Sequence, residues 1–286
     1  MNSYIKKQGV LFVKEKLGFK SNLLLGSLLF GLFFGAGNLI FPVHMGQLAG
    51  NNTLPATMGF LLTGVGLPLL GVIAATLSQS ESLYDLAKPV SRIYSVLFTC
   101  MLYLTIGPLF AIPRTATVAF EVGLSPFIAG EYIRIGLLVF SLVFFAVTLY
   151  FSLQPGRILD WVGKYLNPVF VALLSILLIA TFINPMGKAS QYPAQGDYID
   201  KAIFTGLLDG YNTMDALASL AFAIVIISNI ERLGVKSPKR KAIEILKSGL
   251  VCVVGMSVIY ASLAYMGATS LGSLGRADNG GKIMSM

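Results

Sequence analysis

The chain's apolar residues are gathered into long blocks that carry no charge. Residues 21–80 contain no Asp, Glu, Lys or Arg. One crossing of a bilayer takes about 20 apolar residues, so this block predicts two crossings. Further uncharged windows cover residues 93–113, 135–156, 165–187 and 248–275, and a weaker one, 202–230, is broken only by Asp209 and Asp215. Seven membrane-spanning helices are predicted, forming one all-α polytopic membrane domain over residues 1–286.

Composition agrees with the pattern. Hydrophobic residues make up 55% of the chain and charged residues 12%, with a mean hydropathy of +0.77, about half the charge of an ordinary soluble domain. The net charge of +8 does not point to nucleic acid, because the basic residues occupy the short connections, where Lys and Arg set membrane orientation. With the N-terminus in the cytoplasm, fifteen of the 21 Lys and Arg fall on the inner side: Lys6, Lys7, Lys14, Lys16, Lys20, Lys88, Arg92, Arg157, Lys164, Arg232, Lys236, Lys239, Arg240, Lys241 and Lys247. The other six, Arg114, Arg134, Lys188, Lys201, Arg276 and Lys282, fall on the outer side, which places the last residues outside. The first apolar stretch is too long for a cleaved leader and lacks a small-residue cleavage site, so it reads as an uncleaved first helix. Cys100 and Cys252 fall inside spans and read as packing residues.

The inner connection at residues 231–247, "ERLGVKSPKRKAIEILK", looks amphipathic and is expected to lie on the inner membrane surface before the seventh span. Two spans carry matched interruptions. The first is broken at Gly35-Ala36-Gly37-Asn38 and followed by Pro42, and the sixth has a polar centre at Asp209-Gly210-Tyr211-Asn212-Thr213. Interrupted helices five spans apart point to the binding site of a transporter built from inverted halves. Residues 20–187 would form the first five-helix repeat and residues 195–286 the start of the second.

Open backbone at membrane depth survives only where it faces protein or a wet cavity. A half-helix N-terminus suits a carboxylate, and free carbonyls at a half-helix C-terminus suit a cation. The paired breaks therefore suit a zwitterion beside a metal ion, against a plainer reading of the glycines as helix-packing surface. Asp215 reads either as a functional intramembrane acid or as the third residue after an Asn212 cap. His44, the only histidine, reads as a wall residue or a proton sensor. Arg114 and Glu121 share one face of the proline-disturbed third span, as an ion-pair gate or an interfacial anchor.

The segments "FFGAGNLIFP" (33–42), "IGPLFAIPRTATVAFE" (106–121), "GYNTMDALASLAF" (210–222) and "MGATS" (266–270) followed by "NGGKI" (279–283) together resemble the branched-chain amino acid:cation symporter family of bacteria, the BrnQ-type carriers of leucine, isoleucine and valine. The similarity runs from about Lys20 to the last residue. It implies a LeuT-like inverted-repeat fold, sodium as the coupling ion, no other cofactor, no transition-metal site and a bacterial inner membrane. The lipid bilayer is the surrounding partner, nucleic acid is not one, and no enzyme activity is implied. By motif, the substrate would meet Phe34, Gly35, Ala36, Gly37 and Asn38 at the first break and Tyr211, Asn212, Thr213 and Met214 at the sixth. The cation would meet Gly35, Ala36, Asn38, Thr213 and Asp215. Phe33, Phe34 and Met214 would supply apolar wall. Carriers of this family are expected to have about twelve spans, so the resemblance leads to the expectation of a truncated form without transport of its own. The rival reading, a seven-span receptor or sensor, matches the span count but does not need matched breaks.

Overall fold

The computed structural model describes residues 17–80, 82–153, 167–277 and 279–285, and every element in them is helical. Of the residues used to orient the chain, Lys6, Lys7, Lys14, Lys16, Arg157 and Lys164 lie outside the described residues.

Helix α1 (Phe19–Phe33) ends at an extended pair, Phe34 and Gly35, and α2 (Ala36–Ala49) begins at once. Pro42 does not interrupt α2 but lies buried within it. The chain reverses through Gly50, whose φ of +49° favours a residue without a Cβ. It continues as α3 (Thr53–Leu61), a π-turn over Leu62–Gly66 and α4 (Leu67–Leu77). After the short α5 (Leu83–Ala87), α6 (Arg92–Leu104) leads through a distorted π-turn, with Gly107 at non-helical angles and Pro108 beside it, to α7 (Ala111–Gly123). Then come α8 (Ile133–Ser152), α9 (Asn167–Ile183), α10 (Ala202–Tyr211), α11 (Asp215–Arg232), α12 (Pro238–Ser270) and α13 (Gly280–Ser285).

Four stretches among the described residues are long and apolar enough to cross a membrane, or five when α10 and α11, bent by 41° at their junction, count as one span. Helices α1 and α9 are apolar but shorter. The chain is thus a multi-pass membrane protein, all-helical among its described residues.

Small residues let the inner helices approach backbone to backbone. A Cβ at Gly46 of α2 would stand 2.0 Å from the Ala264 carbonyl oxygen of α12, and one at Gly267 would stand 2.0 Å from that of Val43. Helices α3 and α10 meet in the same way: a Cβ at Gly59 would lie 1.9 Å from the Ile203 oxygen, and one at Gly206 would lie 2.0 Å from that of Ala56. Gly26 brings α1 against Ser248 of α12, and Gly71 brings α4 against Ser219 of α11. These helices enclose the core around Leu29, Phe33, Phe60, Ile226 and Tyr260. Helix α8, with no buried residue, lies outside it.

The expected amphipathic surface helix is absent, since residues 238–247 are the opening turns of α12. That helix has 33 residues, about 50 Å at 1.5 Å per residue, which exceeds the roughly 30 Å of a hydrocarbon core. Its first turns are claimed by protein contacts. Ala242 and Ile245 are buried, and Glu244, fully buried, pairs with Lys247 at 2.7 Å and accepts the Leu17 N–H at 3.4 Å. At this end the last turn of α4, the end of α11 and Lys241 also meet, with Lys241 paired to Glu231.

The opposite end holds the Gly50 turn and the loop before α10. Asn51 N–H donates to Tyr192 O at 2.8 Å, Ala194 N–H to Asn51 Oδ1 at 3.0 Å, Gln195 N–H to Leu48 O at 2.9 Å, and Asn52 Nδ2 to Tyr198 O at 2.9 Å. The Tyr198 hydroxyl donates to Asp209 of α10. Burial first, and the Asp209 carboxylate second, raise the Tyr198 hydroxyl well above its ordinary pKa, so it stays a donor.

Candidate functional site at the paired helix breaks

Both interruptions are present, and both are shorter than their sequence motifs. The first is confined to Phe34 and Gly35, while Ala36, Gly37 and Asn38 form the first turn of α2. No preceding turn exists to accept the N–H groups of Ala36 and Gly37. The second break covers Asn212 to Met214, since Asp209, Gly210 and Tyr211 are still helical in α10. Met214 adopts the left-handed conformation at φ +69° and directly precedes α11. Helix α11 therefore starts at Asp215, and the Asn212 cap anticipated from the sequence does not form. Thr213 Oγ1 instead accepts the Asp215 N–H at 3.4 Å and donates to Gly210 O at 2.8 Å.

The side chain of Asn38 joins the two breaks. Its Oδ1 accepts the Gly35 N–H at 2.9 Å, and its Nδ2 donates to Asp215 Oδ2 and to the Tyr260 hydroxyl of α12. Asn38, Asp215 and Tyr260 are all buried. The Tyr260 ring stands edge-on to Phe60, with centroids 5.2 Å apart, and stacks near Phe34 at 6.1 Å. Nothing in the sequence motifs singled out Tyr260. It is one of several tyrosines in apolar runs, and its partner is 222 positions away.

A cavity of about 280 Å³ opens where the breaks meet. Gly35, Ala36, Gly37 and Asn38 line it from one side, and Thr213, Met214 and Asp215 from the other. Phe33, Leu32 and Phe222 give it an apolar wall, and Ile106, Ala111, Arg114 and Thr115 close it from the third span. The lining thus draws on three interrupted helices, because the distorted turn at Gly107 and Pro108 lies between Ile106 and Ala111. Of the residues anticipated at the substrate, Phe34, Tyr211 and Asn212 are not in the lining. Tyr211 is 44% exposed, and Phe34 packs on Phe30 and Phe170.

Arg114 and Glu121, on one face of α7, do not form an ion pair. The two ion pairs among the described residues are Lys241–Glu231 and Lys247–Glu244. Arg114 Nη1 donates to Asn212 O at 3.0 Å, and its guanidinium lies 5.1 Å from the centre of the Phe41 ring. Glu121 lies against Gly281 of α13. His44 is half-buried on α2, within electrostatic reach of Asp209, and neither lines the cavity. Among the described residues no cluster of three His, Cys, Asp or Glu side chains could hold a metal ion.

The comparisons with known proteins bear on the same region. The model of a family described as branched-chain amino acid transport protein matches residues 19–286. The chain is 48% identical over 274 residues to the branched-chain amino acid permease BrnQ of Lactobacillus delbrueckii subsp. lactis, covering 96% of this chain and 61% of that protein. It is 45% identical over 275 residues to the permease BraB of Bacillus subtilis (96% and 61%). To the branched-chain amino acid transport system 2 carrier protein of Pseudomonas aeruginosa it is 41% identical over 263 residues (92% and 59%). The chain spans about three fifths of the length of these relatives, which are named as permeases and carriers rather than enzymes. No solved structure matches it. With one family model covering every described helix, the chain belongs to the branched-chain amino acid transport protein family.

Proposed function

We propose that this chain takes part in the sodium-coupled symport of leucine, isoleucine or valine into a bacterial cell, with the amino acid held between the two helix breaks. The observation that carries this reading is the single cavity lined by both breaks. It offers N–H groups at the start of α2, oxygen atoms at Thr213 and Asp215, and an apolar wall of Leu32, Phe33, Met214 and Phe222. A zwitterion with an aliphatic side chain needs those three kinds of surface. In this reading the carboxylate faces the first turn of α2, and the ammonium faces the carbonyls of the second break.

The cation is assigned to the same junction, at Gly35, Ala36, Asn38, Thr213 and Asp215. Its donors are carbonyl, hydroxyl and carboxylate oxygens, the ligands that broken helices present to sodium. Arg114 and Glu121 are assigned to the outer gate. Helices α1 with α2, α3 with α4, α6 with α7, α8, α9, α10 with α11, and α12 are read as seven crossings of a LeuT-like inverted repeat. The basic end near Lys241 is placed in the cytoplasm and the Gly50 turn outside, in the bacterial inner membrane.

The energetics suffice. A monovalent cation crossing 100 mV releases about 2.3 kcal/mol, and a tenfold gradient adds about 1.4 kcal/mol. At one ion per substrate their sum limits accumulation to roughly 500-fold. The test is leucine uptake into vesicles containing the full-length gene product, first under an inward sodium gradient and then under a proton gradient. Accumulation driven by sodium supports the reading. Accumulation under protons alone overturns the choice of ion, and no uptake of any of the three amino acids under either gradient overturns transport.

A further inference from the structure

We propose that Arg114 binds the substrate's carboxylate directly, which makes the outer half of the third span part of the binding site rather than only its boundary. This deepens the reading given above and rests on it.

A guanidinium presents five N–H donors, and one of them is used on Asn212 O. The Phe41 ring covers one face of the group and supplies no hydrogen-bond acceptor. Arg114 nevertheless lines the cavity, and no acid pairs with it among the described residues. Half-exposed on the cavity wall, the guanidinium keeps open donors that an anionic ligand can take as charge-assisted hydrogen bonds. Asp215, the other charged residue in the lining, accepts from Asn38 and lies within electrostatic reach of Arg114 without forming an ion pair with it. The two opposite charges thus share one cavity without collapsing onto each other, an arrangement complementary to an α-amino acid with its own two charges.

The neighbouring backbone reinforces the positive pole. A Cβ at Gly37 would lie 3.1 Å from Arg114 Nη1, so the bare glycine lets the guanidinium settle over the first turn of α2. The partial positive charge of that helix end and the full charge of Arg114 then converge on one spot. The interrupted turn at Gly107 and Pro108 allows α7 to depart from the direction of α6 and bring Arg114 to it.

Arg114 also bonds the carbonyl that ends α10, so a purely structural role has to be separated from ligand contact. Two measurements on the full-length gene product in detergent do so. In the first, leucine and leucinamide, which lacks the carboxylate, are compared as ligands of the wild type and of Arg114→Gln. The preference for leucine over leucinamide is expected to fall about 10- to 100-fold in the variant, the range for a lost charge-assisted hydrogen bond, and Arg114→Lys to recover part of it. Equal losses for both ligands, or an unchanged ratio, overturn the proposal and leave leucine binding intact as a reading. In the second, which needs no variant, Arg114 is modified with phenylglyoxal and followed by peptide mass spectrometry. Leucine is expected to slow the modification where leucinamide does not, and equal rates overturn the proposal. A wild type that binds none of leucine, isoleucine and valine removes both the proposal and the reading beneath it.

Discussion

The amide of Asn38 is satisfied from both ends, by Gly35 on its oxygen and by Asp215 and Tyr260 on its nitrogen. Tyr260→Phe keeps the ring against Phe60 but leaves a buried donor without its acceptor, at a cost of about 1–3 kcal/mol. Because Asn38 and Tyr260 act on one bond, the double variant Asn38→Ala/Tyr260→Phe is expected to lose less than the sum of the single changes. Chemical denaturation of the four proteins in detergent checks this. Met214 offers a second test. Its left-handed backbone costs a β-branched residue more than an unbranched one. Met214→Val should therefore lower the melting temperature, while Met214→Gly, free of that strain, should not. Asn38 and Asp215 are legible in the sequence because polar groups in an apolar block need partners. Tyr260 is not, because a hydroxyl at the end of an aromatic ring is unremarkable until the helix carrying it is packed.

At the level of helices, contact without intervening side chains is what holds the core together. Gly59→Ala would push a methyl into the Ile203 carbonyl, an overpacking cost of about 3 kcal/mol or more. Gly255→Ala on α12 meets nothing within 4 Å and should be neutral. The yield of folded protein after membrane extraction separates the two. Apolar blocks revealed which stretches are helical, and glycine with asparagine revealed where two of them break. The limits of the breaks were not legible. Asn212 has the chemistry of a cap, yet the preceding helix runs through Tyr211 and takes Asn212 as its own end. The basic run at residues 238–247 has the composition of a surface helix. Only the burial of Glu244 against Leu17 and Lys247 shows that it continues straight into α12.

For the whole molecule, the two ends differ in charge, the asymmetry that orients a multi-pass chain. The charges at Lys236, Lys239, Arg240 and Lys241 belong to one end, and the turn at Asn51 and Asn52 to the other. With Cys100 and Cys252 replaced by serine, Lys239→Cys should react with a membrane-impermeant maleimide only in inside-out vesicles, and Asn52→Cys only in right-side-out ones. Labelling of both from one side would refute the proposed orientation. The bonds between the Gly50 turn and residues 192–198 carry one more consequence. They fasten the end of α2 and the start of α10 into a single plate, with Tyr198 riveted to Asp209. In the proposed carrier, a doorway at that face would have to break these bonds to swing between α2 and α10. A leaf formed by α7, which shares none of these bonds, would leave the plate whole.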